Sequence, residues 1–249
     1  MQDPLILDSR RSWIRLALAL LIAVVGNAGM WAIILILPNI QGEFDASRAA
    51  ASLPYSATML GFALGNFLIG RAVDRFGLSL SLAAAGTVMG IGFAIAALVD
   101  SIAALTVVHL AIGFGSAASF GPLIADVSQW FLRRRGLAVA IAACGNYLAG
   151  ALWPMALQPV LASGTWRDAY LVLAAICVLV MVPLTLSLRR PLPEAALAVS
   201  EAAAAARAKT TGLSPRALTA LLAVAGIGCC VAMSMPQVQT GRAPCAGSV

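Results

Sequence analysis

The stretch Trp130–Gly145 reads WFLRRRGLAVAIAACG, with Arg133, Arg134 and Arg135 side by side. No further charge follows until Arg167. A basic cluster abutting a long apolar run is how a membrane helix meets the cytoplasm: Lys and Arg are held on that side, and about 20 apolar residues cross the hydrocarbon. This junction sets the direction of every span before and after it.

Composition gives the same class. Of the 249 residues, 61% are hydrophobic and 10% charged, whereas a soluble domain has about a quarter of its residues charged. The formal net charge of +6 does not indicate nucleic acid, because the basic residues sit beside apolar runs in the positive-inside pattern. Cys144, Cys177, Cys229 and Cys230 lie within apolar runs and Cys245 in the tail, without metal-ligand spacing. They read as small packing residues.

Apolar runs place spans at about 14–38, 51–71, 78–99, 102–126, 136–161, 169–188 and 217–235. Ser9-Arg10-Arg11-Ser12 before the first is similar to a twin-arginine export signal, but the run continues to Pro38, too long for a signal segment. Gly61, Gly65 and Gly70 form a small-residue stripe for close helix contact. Residues 70–77, GRAVDRFG, read as a tight turn. The only long polar segment is 189–214, where Pro191 and Pro193 break the helix before an Ala-rich stretch suited to a short surface helix. The domain reading is therefore a six-helix half at 1–188, a linker at 189–215, and a seventh helix with a short tail at 216–249.

The charges orient the spans. Arg10, Arg11, Arg15, Arg71, Arg75, the triple arginine, Arg189, Arg190, Arg207, Lys209 and Arg216 fall on one side. The opposite loops among the first six spans hold Arg48 and Arg167, and Arg242 lies beyond the seventh. This asymmetry places the N-terminus in the cytoplasm, in a multi-pass protein of the cell (inner) membrane.

Gly70-Arg71-Ala72-Val73-Asp74-Arg75-Phe76-Gly77 resembles the G-x-x-x-D-R-x-G turn of the major facilitator superfamily, which that family carries between its second and third helices. Leu78 and Ser79 replace the basic residues usual just after it. WFLRRRGLAVAIAACG resembles the start of the fifth helix in the monocarboxylate-transporter branch, where an aromatic pair, a basic cluster and a small-residue helix occur together. The resemblance runs from residue 10 to about 236, the first half and seventh helix of a twelve-helix fold. It implies an all-α polytopic protein: a six-helix bundle of two inverted three-helix repeats plus the first helix of a second half.

It also implies a conformational latch at Gly70, Asp74, Arg75 and Gly77, with Asp126 and Arg133, Arg134 and Arg135 at the same membrane level. Contacts made in one conformation only bias a two-state equilibrium. The alternative is that these are ordinary loop charges. His109, in H-x-x-x-G-x-G, stands where the family often has an arginine. It is a candidate for proton coupling, since histidine titrates near neutral pH, or an interhelical hydrogen bond of about 0.6 kcal/mol. Asn27, Asn66, Asn146 and Tyr147 lie at interior depth, and Asn146, Gly150 and Trp153 share a helix face. They either line a central substrate cavity or hold helices together. Gly145, Gly150 and Pro154 shape the fifth helix.

With one histidine and no serine in G-x-S-x-G, the chain has no enzyme constellation, and neither metal nor cofactor is expected. The implied activity is secondary transport of a small organic anion of the monocarboxylate class, coupled to protons, with substrate, protons and the bilayer as partners. Efflux of a hydrophobic compound, or a non-transporting half-transporter subunit, are the alternatives. After Pro236 the seventh apolar run gives way to QVQTGRAPCAGSV, so the expectation is a truncated or frameshifted product that does not transport alone and self-associates, recruits a partner half or is degraded, with a functional homodimer of halves as the alternative. Topology is directly measurable. A cysteine placed at Arg134 should react only from the cytoplasmic side and one at Glu43 only from outside; external labelling at position 134 would reverse the arrangement.

Overall fold

The computed structural model describes residues 6–210 and isolated positions between 214 and 228. Among the described residues six helices are long and apolar enough to cross a bilayer: α1 (Arg10–Glu43), α2 (Arg48–Phe76), α3 (Leu78–Ala96), α4 (Ile102–Trp130), α5 (Arg135–Ser163) and α6 (Trp166–Ser187). A seventh helix, α7 (Glu194–Thr210), occupies the polar segment. No strand occurs among the described residues. The chain forms two compact units, Met1–Ser200 and Glu201–Val249. Most of the expected seventh span lies outside the described residues, as do Cys229, Cys230 and Cys245.

The helices outrun the expected spans. In hydrocarbon every backbone N–H and C=O must find a partner within the segment, so a helix persists until a cap relieves it. α1 continues past Pro38 to Glu43. α2 runs to Phe76, which makes GRAVDRF its last turns rather than a loop. The reversal is left to Gly77 alone, at φ +82°, in the left-handed region that residues with a Cβ enter at a cost. Its N–H donates to the Val73 carbonyl at 2.8 Å and closes α2, while Leu78 opens α3. Ser101 and Thr165 cap α4 and α6, Thr165 in a reciprocal box with Asp168.

Consecutive spans alternate in direction, so the second triplet is inverted relative to the first. The packing follows that inversion: α4 lies on α2 as α1 lies on α5, while α3 packs against α6. Glycines set the distances. A Cβ at Gly61 would sit 2.0 Å from the Leu110 carbonyl oxygen, and one at Gly113 would sit 2.0 Å from that of Thr58. The equivalent seam has Gly145 against Ala23 and Gly150 against the Trp31 ring. Gly70 does not join the stripe expected of it, because a Cβ there meets nothing within 4 Å.

The fully buried core includes Leu82, Met89 and Phe93 from α3, Ile112 from α4 and Tyr170 from α6. At the end carrying Glu43, Arg167 bridges Glu43 and Asp100, while the Trp166 indole also donates to Glu43. This joins α1 and α6 to the loop after α3. The other end carries the arginines and is called the basic end below. Replacing Gly113 by Ala should lower the melting temperature of detergent-extracted protein, since overpacking costs about 1–3 kcal/mol. Gly42→Ala, with nothing within 4 Å, should leave it unchanged.

Candidate functional site

The charged centre of the basic end is a pair of which the expected latch held only Asp126. Arg15 donates from Nε and Nη2 to the two carboxylate oxygens of Asp126, at 2.7 and 2.8 Å. Its Nη1 donates to the carbonyls of Arg190, at 2.9 Å, and Leu188, at 3.3 Å. The guanidinium lies 4.5 Å from the centre of the Trp130 ring. The two side chains are only 8% and 14% exposed. A two-pronged bond of this kind fixes orientation as well as distance. The cation also sits on carbonyls just past the end of α6, where the helix dipole is negative. One side chain therefore ties α1, α4 and the end of α6.

Asp126 also lines a cavity of about 370 Å³ with Asn66, Gly70, Asp74 and Gln129. Of the expected latch residues, the structure brings Gly70, Asp74 and Asp126 together there. Arg75, Gly77, Arg133, Arg134 and Arg135 do not line it. Asp74 and Arg75 are exposed and form no ion pair with any described residue. Arg75 instead leans on the Phe76 ring, 5.3 Å away.

The triple arginine is held through its backbone. The Asp8 carboxylate accepts the N–H groups of Leu132, Arg133 and Arg134 at 3.1, 2.9 and 3.4 Å. Arg133 and Arg134 keep their side chains exposed, while Arg135 donates to Ser128 at 3.1 Å.

His109 is fully buried between α4 and α6. Its Nδ1 lies 2.8 Å from the Leu105 carbonyl and its Nε2 lies 2.8 Å from the Tyr170 hydroxyl. A carbonyl only accepts, so Nδ1 carries the hydrogen and Nε2 accepts from Tyr170: both partners suit a neutral ring. Tyr170 in turn meets Phe93 and Trp166 edge-on.

The residues expected around a central cavity do not converge. The Asn146–Gly150–Trp153 face of α5 is turned onto α1. The Trp31 indole donates to the Asn146 carbonyl at 3.1 Å, and the Trp153 indole donates to the Val24 carbonyl at 2.9 Å. Asn27 is fully buried where α1 is interrupted; its amide donates to Ala23 at 2.7 Å, and its Oδ1 has no protein partner. Asn66 belongs to the Asp74 cavity, and Tyr147 stands 55% exposed on the outside of α5. No cluster of metal-ligating side chains occurs among the described residues.

Burial is uneven among the spans. In the membrane-crossing parts of α2 and α5, 22% and 28% of residues are buried, against 39% to 56% in the other four. Leu60, Leu64, Phe67 and Leu68 on α2, with Leu148, Leu152 and Met155 on α5, are exposed apolar side chains.

The inverted triplets, the acid-lined cavity at the end of α2 and the two under-covered helices define a class: a multi-pass helical membrane protein of the transporter type. The chain belongs to the Major Facilitator Superfamily, whose family model matches residues 19–241. It is 31% identical over 194 residues to monocarboxylate transporter 11 of Homo sapiens, covering 75% of this chain and 41% of that one. It is 26% identical over 140 residues to a probable sulfoacetate transporter of Cupriavidus necator, covering 56% of this chain and 33% of that one. The chain thus spans about two fifths or less of the curated relatives it matches. Among solved structures, a bacterial homolog to the human lysosomal transporter Spinster, in an inward-facing and occupied conformation, superposes with a TM-score of 0.59. It is 20% identical and the match covers 78% of this chain and 46% of that one, a likeness of fold.

Sequence reading missed Arg15, Asp8 and Tyr170. Arg15 was legible in principle: it is separated from the Arg10–Arg11 pair by Ser12-Trp13-Ile14 and enters the apolar run, where a cation needs an acid. Arg15→Met should lower stability by about 3 kcal/mol, because stripping one partner leaves a largely buried carboxylate unpaired. Arg15→Met combined with Asp126→Leu should recover much of the loss in a thermal melt. A double variant as unstable as the sum of the single ones would assign the cost to lost packing instead.

Proposed function

We propose that this chain forms one half of a proton-coupled secondary transporter for small organic anions of the monocarboxylate class. The observation that carries the reading is the apolar surface left on α2 and on α5, the two least buried spans. A second six-helix bundle, from another chain or a second copy, seats on that surface, and substrate passes between the two by alternating access. The substrate class rests on relatives named for monocarboxylate and sulfoacetate transport, both small organic anions.

Asp74 and Arg75 serve as the latch. Both stand at the basic end of α2 without an ion-pair partner among the described residues, so their charges remain available to a second bundle. Asp126 supports the same cavity from α4, its charge already balanced by Arg15. His109 senses the proton from within the bundle, exchanging the Tyr170 hydroxyl between donor and acceptor as Nε2 gains its hydrogen.

Counterflow in proteoliposomes with short-chain monocarboxylates, a sulfonated acid and lipophilic cations tests the reading. Saturable exchange of the carboxylates in liposomes containing both halves, rising with an inward proton gradient, is the expected result. His109→Gln should flatten that pH dependence while leaving the amount of protein in the membrane unchanged. Exchange confined to the lipophilic compounds would replace this reading with hydrophobic-compound efflux.

A further inference from the structure

The geometry points to an anionic phospholipid headgroup site between the basic ends of α1 and α6, separate from the transport path. A cavity of about 330 Å³ opens there, with Arg11, Ser187, Arg190 and Trp130 on its polar side and Ile14 and Leu18 on its apolar side. Arg15 is also in the wall, but its charge is balanced by Asp126. No carboxylate lines this cavity, whereas both neighbouring cavities at the basic end contain Asp126. The guanidinium groups of Arg11 and Arg190 form no ion pair with any described residue. The Arg190 backbone is nevertheless fixed by Arg15, so its side chain is presented from an anchored point. Two uncommitted guanidinium groups at one mouth form a site for a phosphodiester, while the Ser187 hydroxyl beside them donates to the Leu184 carbonyl.

The apolar wall determines the source of that phosphodiester. Ile14, Leu18 and Leu21 recur at i, i+4 and i+7 on α1, and Ile14 and Leu21 are 51% and 52% exposed. They form a stripe leading from the cavity along the span. Trp130, itself buried, closes the inner wall of the cavity beneath the Arg15 guanidinium. A soluble phosphate would use only the basic mouth. A lipid uses both, with its headgroup on Arg11 and Arg190 and an acyl chain on the Ile14–Leu21 stripe. Basic pockets between membrane helices take anionic headgroups in this way.

The test titrates the full chain, delipidated in detergent, with phosphatidylglycerol and phosphatidylcholine, and counts bound lipid by native mass spectrometry. Phosphatidylglycerol should bind at far lower concentration than phosphatidylcholine. The double variant R11Q/R190Q should weaken phosphatidylglycerol binding about twenty-five-fold, from roughly five-fold per guanidinium. R71Q/R133Q, which removes equal charge elsewhere at the basic end, should bind like the unaltered protein. Ser187→Glu, which places a carboxylate in the cavity wall, provides an independent variant and should also abolish the preference. Unchanged phosphatidylglycerol binding in both R11Q/R190Q and Ser187→Glu would overturn the site. Equal loss in R71Q/R133Q would reduce it to diffuse attraction and overturn it as well. Displacement of the lipid by glycerol phosphate at equal concentration would show that the acyl stripe adds nothing, and would replace lipid by a soluble phosphate.

Discussion

The bond between Arg15 and Asp126 is the constraint on which the basic end depends. An ionised side chain inside an apolar bundle is tolerated only with a partner, and here each requires the other from a different helix. Arg15 then spends its remaining donors on carbonyls at the end of α6. The consequence is positional. Asp126 is held where it can line the cavity beneath Gly70 and Asp74, and the chain leaving α6 is pulled back over α1. Glu43, Arg167 and Asp100 do the corresponding job at the opposite end.

Between these two ends the spacing is set by absent side chains. Where α2 crosses α4, and where α1 crosses α5, glycines let one helix press on the backbone or an aromatic ring of the other. Within a membrane the apolar effect gives no preference for helix over lipid, so such close packing and a few polar contacts carry the association. The His109–Tyr170 hydrogen bond is one of those contacts, joining α4 to α6 inside a core made mostly of Ala, Leu and Ile.

The spans, their order and the membership of the family were legible because each rests on composition or on contiguous motifs. Apolar runs give helices, and GRAVDRFG and WFLRRRG are continuous stretches. Helix ends were less so: where an apolar run stops, the backbone still needs partners, and α1 and α2 each carry on for a further five residues. Side-chain roles were the least legible. The Asn146–Gly150–Trp153 face was correctly read as one face, but periodicity does not say which neighbour it meets, and it meets α1. Arg15 and Asp126 are 111 positions apart, and nothing local to either names the other. Asp8 acts on backbone amides, which have no sequence identity to recognise.

The cross-ties at the two ends have a mechanical consequence. Fastened at both ends and close-packed along its seams, the bundle has little freedom to open down its own middle. Any large displacement that it takes part in is then a movement of the whole body. In the proposed transporter that movement turns on the lightly covered surfaces of α2 and α5, much as a stiff lever turns on a bearing that lies outside it. Changes within the bundle would alter the lever's stiffness; changes on those surfaces would alter how far it swings.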